Sequence, residues 1–523
     1  MQQHIKPGRL KFLMAAILIS IFMSALDQTI VATALPTILN DLGGFNVLAW
    51  IYASYILTST ISILVVGRLS DIYGRKVFYL YGIAIFVIGS MLSGTSHTIT
   101  QLIIYRAFQG IGGGALISLA FASIGDLFTP RERGKWQGII ASSFGIASVV
   151  GPLIGGYLTS AFSWQWIFYI NVPVGILAFF LIYTEYPVIR LNKKEKIDYI
   201  GIVLFSIFIV ALISALIFGG SLFAWTSIQE YILIAIFVVF LTIFIVFESK
   251  NKSPLLPLHL FKNKSFIFVN IVAFLTSFGF LGGVVYLPIY FQYVRGVSPT
   301  LSGVYLLSLV IGLIITSIGG GLLLTKFGKY KMLILVATVV AGIGFLLLST
   351  VTVNINIYLY SLYMFITGLG LGVLLPILTI VAQNFFNASD VGLVTGTIQF
   401  FRNIAGAVGL AAMGTILNNT LVANFNSNKP KNLPAVFSHK YEAIKKSFSS
   451  SSESFSTSVS RPKNLPSYLL KYVNEITAAI LKSLTSSIGS ILLFSGIVVL
   501  IAVFFVIFIK QIPLRTTDKH LVE

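Results

Sequence analysis

One carboxylate stands where apolar sequence ought to exclude it. Asp27 lies inside the apolar run that begins near Leu10, in the stretch LDQTIVATALP from Leu26 to Pro36. A charged side chain at membrane depth costs about 2.5–3.5 kcal/mol on insertion scales, so its presence points to a task. An acid in such a place can take up and release a proton. At helical spacing Ser20, Ser24 and Asp27 share one face, which Val31 and Ala34 continue. That face is small and polar, so Asp27 is expected to look into a water-filled path and away from lipid. The chain holds 16 acidic residues, and the others fall in loops, at helix ends or in tails. Two cations also sit inside apolar runs, Arg106 in RAFQGIGGGA and Arg402 in GTIQFFRNIAGAVG. An arginine at that depth needs a partner or water.

The elements that must carry these groups follow from composition. The 523 residues are 56% hydrophobic and 10% charged, which is the make-up of a polytopic membrane protein and excludes a soluble globular domain. Cysteine is absent, so thiol catalysis and cysteine metal sites are excluded. The five histidines fall in loops or tails, and no metal site or cofactor is expected. A net charge of +19 could suggest nucleic acid. Here, however, the basic residues punctuate the apolar runs, as membrane topology requires.

Fourteen apolar runs are expected to span, among them 10–34, 136–160, 265–291, 394–418 and 479–510. Lys and Arg crowd alternate connections, such as Arg68, Arg75 and Lys76, then Arg131, Arg133 and Lys135, then Lys326, Lys329 and Lys331. The short connections on the other side carry only Arg295. The positive-inside rule therefore places both termini in the cytoplasm, and the protein in the cell membrane as a multi-pass chain. On that topology Arg106 and Asp27 both lie in the outer halves of their runs and can approach one another. A long connection, about 419–478, falls outside and contains the low-complexity tract Ser447–Ser460, expected to be disordered at least in part.

The second connection reads GRLSDIYGRK. Gly67 and Gly74 allow a tight turn, and Asp71 sits among Arg68, Arg75 and Lys76, an ion-pair cluster that can hold one conformation and release another. A partial copy, GGLLLTKFGKYK, follows the tenth run, with Thr325 where Asp71 would fall when Gly74 and Gly328 are aligned. That is an internal repeat with the acid kept in the first copy only. The fifth run holds GIASVVGPLIGG, whose Gly145, Gly151, Pro152, Gly155 and Gly156 predict a kinked, closely packed helix.

These stretches resemble the major facilitator superfamily. The loop from Gly67 to Lys76 is similar to its signature between helices two and three, and the fifth run to its antiporter motif. LDQTIVATALP, WQWIFYINVPVG and GTIQFFRNIAGAVG resemble stretches of the 14-helix drug:proton antiporters within it. The resemblance implies an all-α fold of two six-helix bundles, 1–190 and 265–523, with two inserted helices in 191–264. It implies no enzyme activity. The expected activity is export of lipophilic, neutral or monocationic compounds by alternating access, with protons as the coupling ion, Asp27 as carrier and Arg106 near it. A dedicated metabolite exporter, a proton symporter and a non-transporting sensor of the same fold remain alternatives. Small lipophilic substrates and the bilayer are the expected partners, with no nucleic acid and a monomeric state. Tyr52, Tyr55, Phe144, Phe278, Tyr286, Tyr290, Gln399 and Arg402 are candidates for the substrate cavity, since aromatic faces suit flat lipophilic ligands and cations.

Overall fold

The structure, a computed structural model, describes residues 7–42, 48–128, 130–187, 197–219, 223–251, 254–256, 258–386, 390–430, 434, 441 and 467–513. Apolar runs longer than about 20 residues must satisfy their own backbone groups in lipid, and they do so as helices. In chain order these are α1 (Pro7–Leu42), α2 (Leu48–Tyr73), α3 (Arg75–Gly94), α4 (Ile99–Leu127) and α5 (Pro130–Ala161). Next come the short α6 (Trp166–Tyr169), α7 (Asn171–Glu185), α8 (Tyr199–Phe218), α9 (Ile228–Lys250) and α10 (Lys264–Val284). The three-residue α11 (Leu287–Ile289) precedes α12 (Pro299–Phe327), α13 (Tyr330–Ser349), α14 (Ile357–Asn384), α15 (Val391–Ser427) and α16 (Ser467–Val506). Local sequence starts several of them. The side chains of Thr98, Asp198, Ser227, Asn263, Ser298 and Asn356 each accept a hydrogen bond from a backbone N–H of the helix that follows.

Among the described residues thirteen helical stretches are long and apolar enough to cross a membrane. The long helix that falls short is α5, diluted by its glycines and serines and by a charged first turn, Arg131 to Lys135. It packs against α1 and α12, so its small and polar residues meet other helices instead of lipid. By contrast, α9 leaves Val238, Val239 and Val246 about half exposed, as a lipid-facing helix must.

Three expectations are corrected. The run 265–291 is not one helix. α10 ends at Val284, Pro288 opens α11, and Tyr290–Val294 forms a π-helical turn, because Pro288 has no N–H to continue the ladder. The connection 419–478 is shorter at both ends, since α15 continues to Ser427 and α16 starts at Ser467. The first helix runs to Leu42, well past residue 34. The tract Ser447–Ser460 lies outside the described residues.

The amino-terminal helices pack among themselves, α2 and α3 on α4 and α1 on α5 and α7. The carboxy-terminal ones do likewise, α12 and α13 on α14 and α10 on α15 and α16. The pair α8 and α9 lies beside the seam of α2 with α15. The two groups meet through α5 with α12 and α2 with α15, from the basic connections to mid-length. Gly138 abuts Ser317, Gly145 faces Val310 and Leu313, and Gly396 lies against Ile63 and Leu64. At this same end Arg133 and Gln137 donate to the Gln383 side chain at 3.4 and 3.3 Å. The seam is thus closed on the basic face. A side-chain carbon on Gly145 would lie 3.1 Å from Val310 Cγ1, so the two positions face each other across the seam, and the chain has no native cysteine to compete. We predict that oxidising Gly145→Cys/Val310→Cys forms a cross-link that halts turnover and that reduction restores it. Full turnover in the cross-linked protein would show that this seam need not part.

Candidate functional site

Asp27 is sealed within the amino-terminal helices. Its Oδ2 accepts from Arg106 Nη1 at 2.5 Å. Its Oδ1 accepts from Gln109 Nε2 at 2.8 Å and from Asn171 Nδ2 at 3.3 Å. Arg106 also donates to Gln109 Oε1 at 2.8 Å and lays its guanidinium over the Tyr55 ring, 4.4 Å from the centroid. Asn171 donates to Ser90 Oγ at 3.0 Å. Asp27, Arg106, Gln109, Asn171, Ser90 and Tyr55 are each 2% exposed or less. Arg106 does not snorkel; it is the counter-ion. The expected water-filled path beside Asp27 is not open in this conformation.

Local sequence explains the closure. α4 carries Gly110, Gly112, Gly113 and Gly114, and their missing side chains let it press on its neighbours. Gly110 abuts Tyr55 and Thr58, Gly113 the Tyr55 hydroxyl, Gly114 the Ser59 backbone and Gly112 the α3 backbone near Phe86. Ser24 hydrogen-bonds with the Tyr55 hydroxyl at 3.2 Å. The predicted polar face of Ser20, Ser24 and Asp27 is therefore the inner face of α1. Asn171 stands at the first position of α7, just past Ile170, where the backbone stays right-handed helical between α6 and α7.

Gln109 and Asn171 were not picked out from sequence. Gln109 sits one turn after Arg106, on the same helix face, which is a usable signal. Asn171 is a lone amide inside an apolar run, and only the fold says what it faces. Burying a carboxylate and a guanidinium together is tolerable when both are well hydrogen-bonded. Removing one partner typically costs about 3–5 kcal/mol, because the other charge is left bare. We therefore predict a drop in melting temperature for Asp27→Asn and for Arg106→Gln alone, and a smaller loss in the double variant than the two singles sum to. Strictly additive losses would rule out the pair.

The loop from Gly67 to Lys76 builds a second ion cluster on the basic face. Arg75 pairs with Asp71, donates to Asp126 Oδ2 at 2.7 Å and to Ser70 Oγ at 2.6 Å. Gly74 has φ 97, a conformation that glycine alone adopts readily, and Gly328 in the partial copy has φ 67. Both copies of the repeat thus hold a glycine at positive φ, but in different conformations: ψ is 145 at Gly74 and 0 at Gly328, which is left-handed helical. Gly67 packs on Ser118, and Gly392 at the start of α15 lies against both Asp71 and Arg75. The carboxylate faces the positive end of α15, which favours it there. Arg68 is half-buried, and Lys76 stands 5.5 Å from the Tyr183 ring centroid, outside the ion cluster. Asp126, unmarked in the sequence reading, completes the cluster. Just past α7, Tyr186 hydrogen-bonds Ser123 at 2.8 Å, and burial pushes its hydroxyl above the ordinary phenol range, so it stays neutral beside these charges. Asp71→Asn or Arg75→Ala is predicted to slow turnover without weakening ligand binding, because this cluster ties α2 to α15 across the seam. Weaker binding at unchanged turnover would contradict that.

In the fifth helix Gly145 faces α12 and Gly151 faces Thr29 of α1, whose hydroxyl donates to the Ala147 carbonyl at 2.8 Å. α5 is continuous across Pro152. Gly155 is buried, and no atom lies within 4 Å of where a side chain on Gly156 would begin. The motif thus mediates close packing at Gly145 and Gly151, with open space beside Gly156.

The cavity candidates divide. Tyr55 belongs to the Arg106 site. Tyr52 and Phe144 are half-buried, Phe144 against Ala25, Leu26 and Ala147 of the α1–α5 contact. Phe278 and Tyr286 share a cluster with Ala405 and Met413. Tyr290 is corrected: it is fully buried among Phe291 and Tyr360 and donates to the Thr352 carbonyl at 2.9 Å, so it is a packing residue. Gln399 is buried, and its amide nitrogen meets no acceptor. Arg402 donates to Thr379 Oγ1 at 3.1 Å and to the Leu375 carbonyl at 2.8 Å. No group of His, Asp and Glu among the described residues has the arrangement to hold a metal ion.

A family model described as Major Facilitator Superfamily matches residues 17–410. The chain is 36% identical over 522 residues to "Multidrug transporter protein MdtP" of Bacillus subtilis, covering 99% of this chain and 96% of that one. It is 38% identical to "Multidrug resistance protein 3" of the same organism, over 80% of this chain and 82% of the relative. "Efflux pump dotC" of Dothistroma septosporum is 34% identical, over 80% and 73% respectively. A solved structure, the human organic anion transporter MFSD10, shares the fold with a TM-score of 0.61 at 13% identity, covering 94% of this chain and all of that one.

Proposed function

The chain belongs to the Major Facilitator Superfamily, and from that premise we propose that it is a proton-coupled efflux antiporter for small lipophilic compounds, neutral or singly positive. The observation that carries the coupling is the Asp27–Arg106 pair. A proton on Asp27 removes the counter-charge of a buried guanidinium. The core then holds an isolated cation, which is costly enough to favour another arrangement. The relatives named as multidrug and efflux proteins support the direction of transport. The closed seam on the basic face suits one end state of alternating access, with the Asp71–Arg75–Asp126 cluster holding it.

The charge accounting follows from one coupling acid. A charge moved through 100 mV involves about 2.3 kcal/mol, and one pH unit adds about 1.4 kcal/mol per proton. If one proton enters per cycle, both terms drive export of a neutral compound. For a monocation only the pH term remains, and for a dication the potential opposes export. The test is accumulation of a lipophilic dye in proteoliposomes under an imposed pH gradient. Native protein should concentrate the dye, and Asp27→Asn, checked as folded, should bind it yet build no gradient. Accumulation by the Asn variant would exclude Asp27 as the carrier.

A further inference from the structure

Arg402 is 6% exposed, and among the described residues it pairs with no carboxylate. The sequence explains why. From Lys264 to Ser427 the chain contains a single acid, Asp390, which precedes α15 by one residue. Twelve residues of helix separate it from Arg402, about 18 Å along the axis. The guanidinium is steadied only by neutral acceptors, the Thr379 hydroxyl and the carbonyls of Leu374 and Leu375 on α14. Neutral acceptors position a cation without cancelling its charge.

That charge borders a small cavity between α10, α14 and α15, walled by Thr276, Ser277, Phe280, Leu371 and Leu375. One turn earlier on α15, Gln399 is also buried, and its amide nitrogen has no acceptor. Gln399 does not wall the cavity, so Arg402 is the charged group that faces it. The contrast with Arg106, whose charge is answered within the chain, is direct. The cavity is small, about 10 Å³ and room for one water; we infer that Arg402 is a substrate-reading residue and that, when the helices part around it, this cavity widens to receive the carboxylate end of an amphiphilic substrate whose apolar body lies toward Phe280 and Leu371. A guanidinium offers a fork of donors that matches a carboxylate in plane. The substrates favoured are then lipophilic zwitterions, which are neutral overall. This narrows the efflux reading and rests on it.

The test measures binding without any gradient, so it is separate from proton coupling. Purified protein in nanodiscs is titrated with rhodamine B, a zwitterion bearing a free benzoate, and with its ethyl ester, the same cation without the carboxylate. Native protein should bind the acid about tenfold more tightly than the ester, as one charge-assisted contact implies. Arg402→Gln should bring the two dyes to similar affinity while ester binding persists, and Arg402→Lys should keep part of the preference. If Arg402→Gln does not fold, Ser277→Asp supplies a carboxylate within the same cavity and should abolish the preference from the other wall. A role confined to tying α15 to α14 would leave the acid-to-ester ratio unmoved. Equal affinity in native protein, or a preference that survives both Arg402→Gln and Ser277→Asp, overturns the inference. Failure of the efflux reading would appear instead as absent dye export at normal binding.

Discussion

The amino-terminal helices are arranged around a charge pair that cannot be left half made. Asp27 and Arg106 lie on different helices, are both essentially inaccessible, and are held by Gln109, Asn171 and the Tyr55 ring. Two ions at this depth demand partners for each charge, which the pair and its neighbouring amides supply, leaving Arg106 Nε without an acceptor. That demand explains features that look unrelated in sequence. The glycines of α4 let α2 and α3 close over the pair. Asn171, at the start of α7, brings its amide to the pair. The polar stripe on α1 faces the bundle because it has nowhere else to be solvated.

The carboxy-terminal helices meet a different electrostatic constraint. Their buried intramembrane cation, Arg402, has only neutral partners among the described residues. Their copy of the basic-face loop keeps the glycine at positive φ but has no acid opposite Asp71. Gln383 accepts from Arg133 and Gln137 across the seam and donates to Thr395 at 2.8 Å, so this half contributes neutral polar groups where the other contributes ions. The backbone repeat survives while the charge pattern has diverged. The buried ion clusters therefore lie in the first half, and the second half packs against them with neutral groups.

Much of this was legible in the sequence, for physical reasons that can be stated. Asp27, Arg106 and the Gly67–Lys76 loop stood out because charge in apolar sequence is expensive and glycine at turn spacing is informative. Helix existence followed from run length, whereas helix ends did not. α15 and α16 extend past the bilayer-length runs because helical backbone can continue into water, and only Pro288 announced a break. Gln109, Asn171 and Asp126 were missed because amides are cheap enough to occur anywhere, and an acid at a helix end looks like a solvated one until the fold places Arg75 beside it. The cavity candidates were the least legible. Tyr290 has the composition of a ligand-facing aromatic, yet it belongs to a packed cluster with Phe291 and Tyr360, and periodicity does not distinguish the inside of a bundle from its central cleft.

A sealed acid raises the question of how a proton could couple to anything. The sealing itself supplies the answer within the proposed cycle. If Asp27 faced open water, protonating it would alter little, because solvent would screen Arg106 in either state. Buried, the pair is neutral as a unit, and protonation turns it into a net charge that the surrounding α4 glycines and Tyr55 cannot solvate. The bundle must then admit water or change its packing, and the energy available to drive that is the several kcal/mol that an uncompensated buried charge typically costs. Linkage makes the relation reciprocal: a conformation that exposes the pair alters its proton affinity by the same free energy that proton binding alters the conformation. In the proposed cycle, the close packing that hides Asp27 is thus what would convert a proton into a mechanical event.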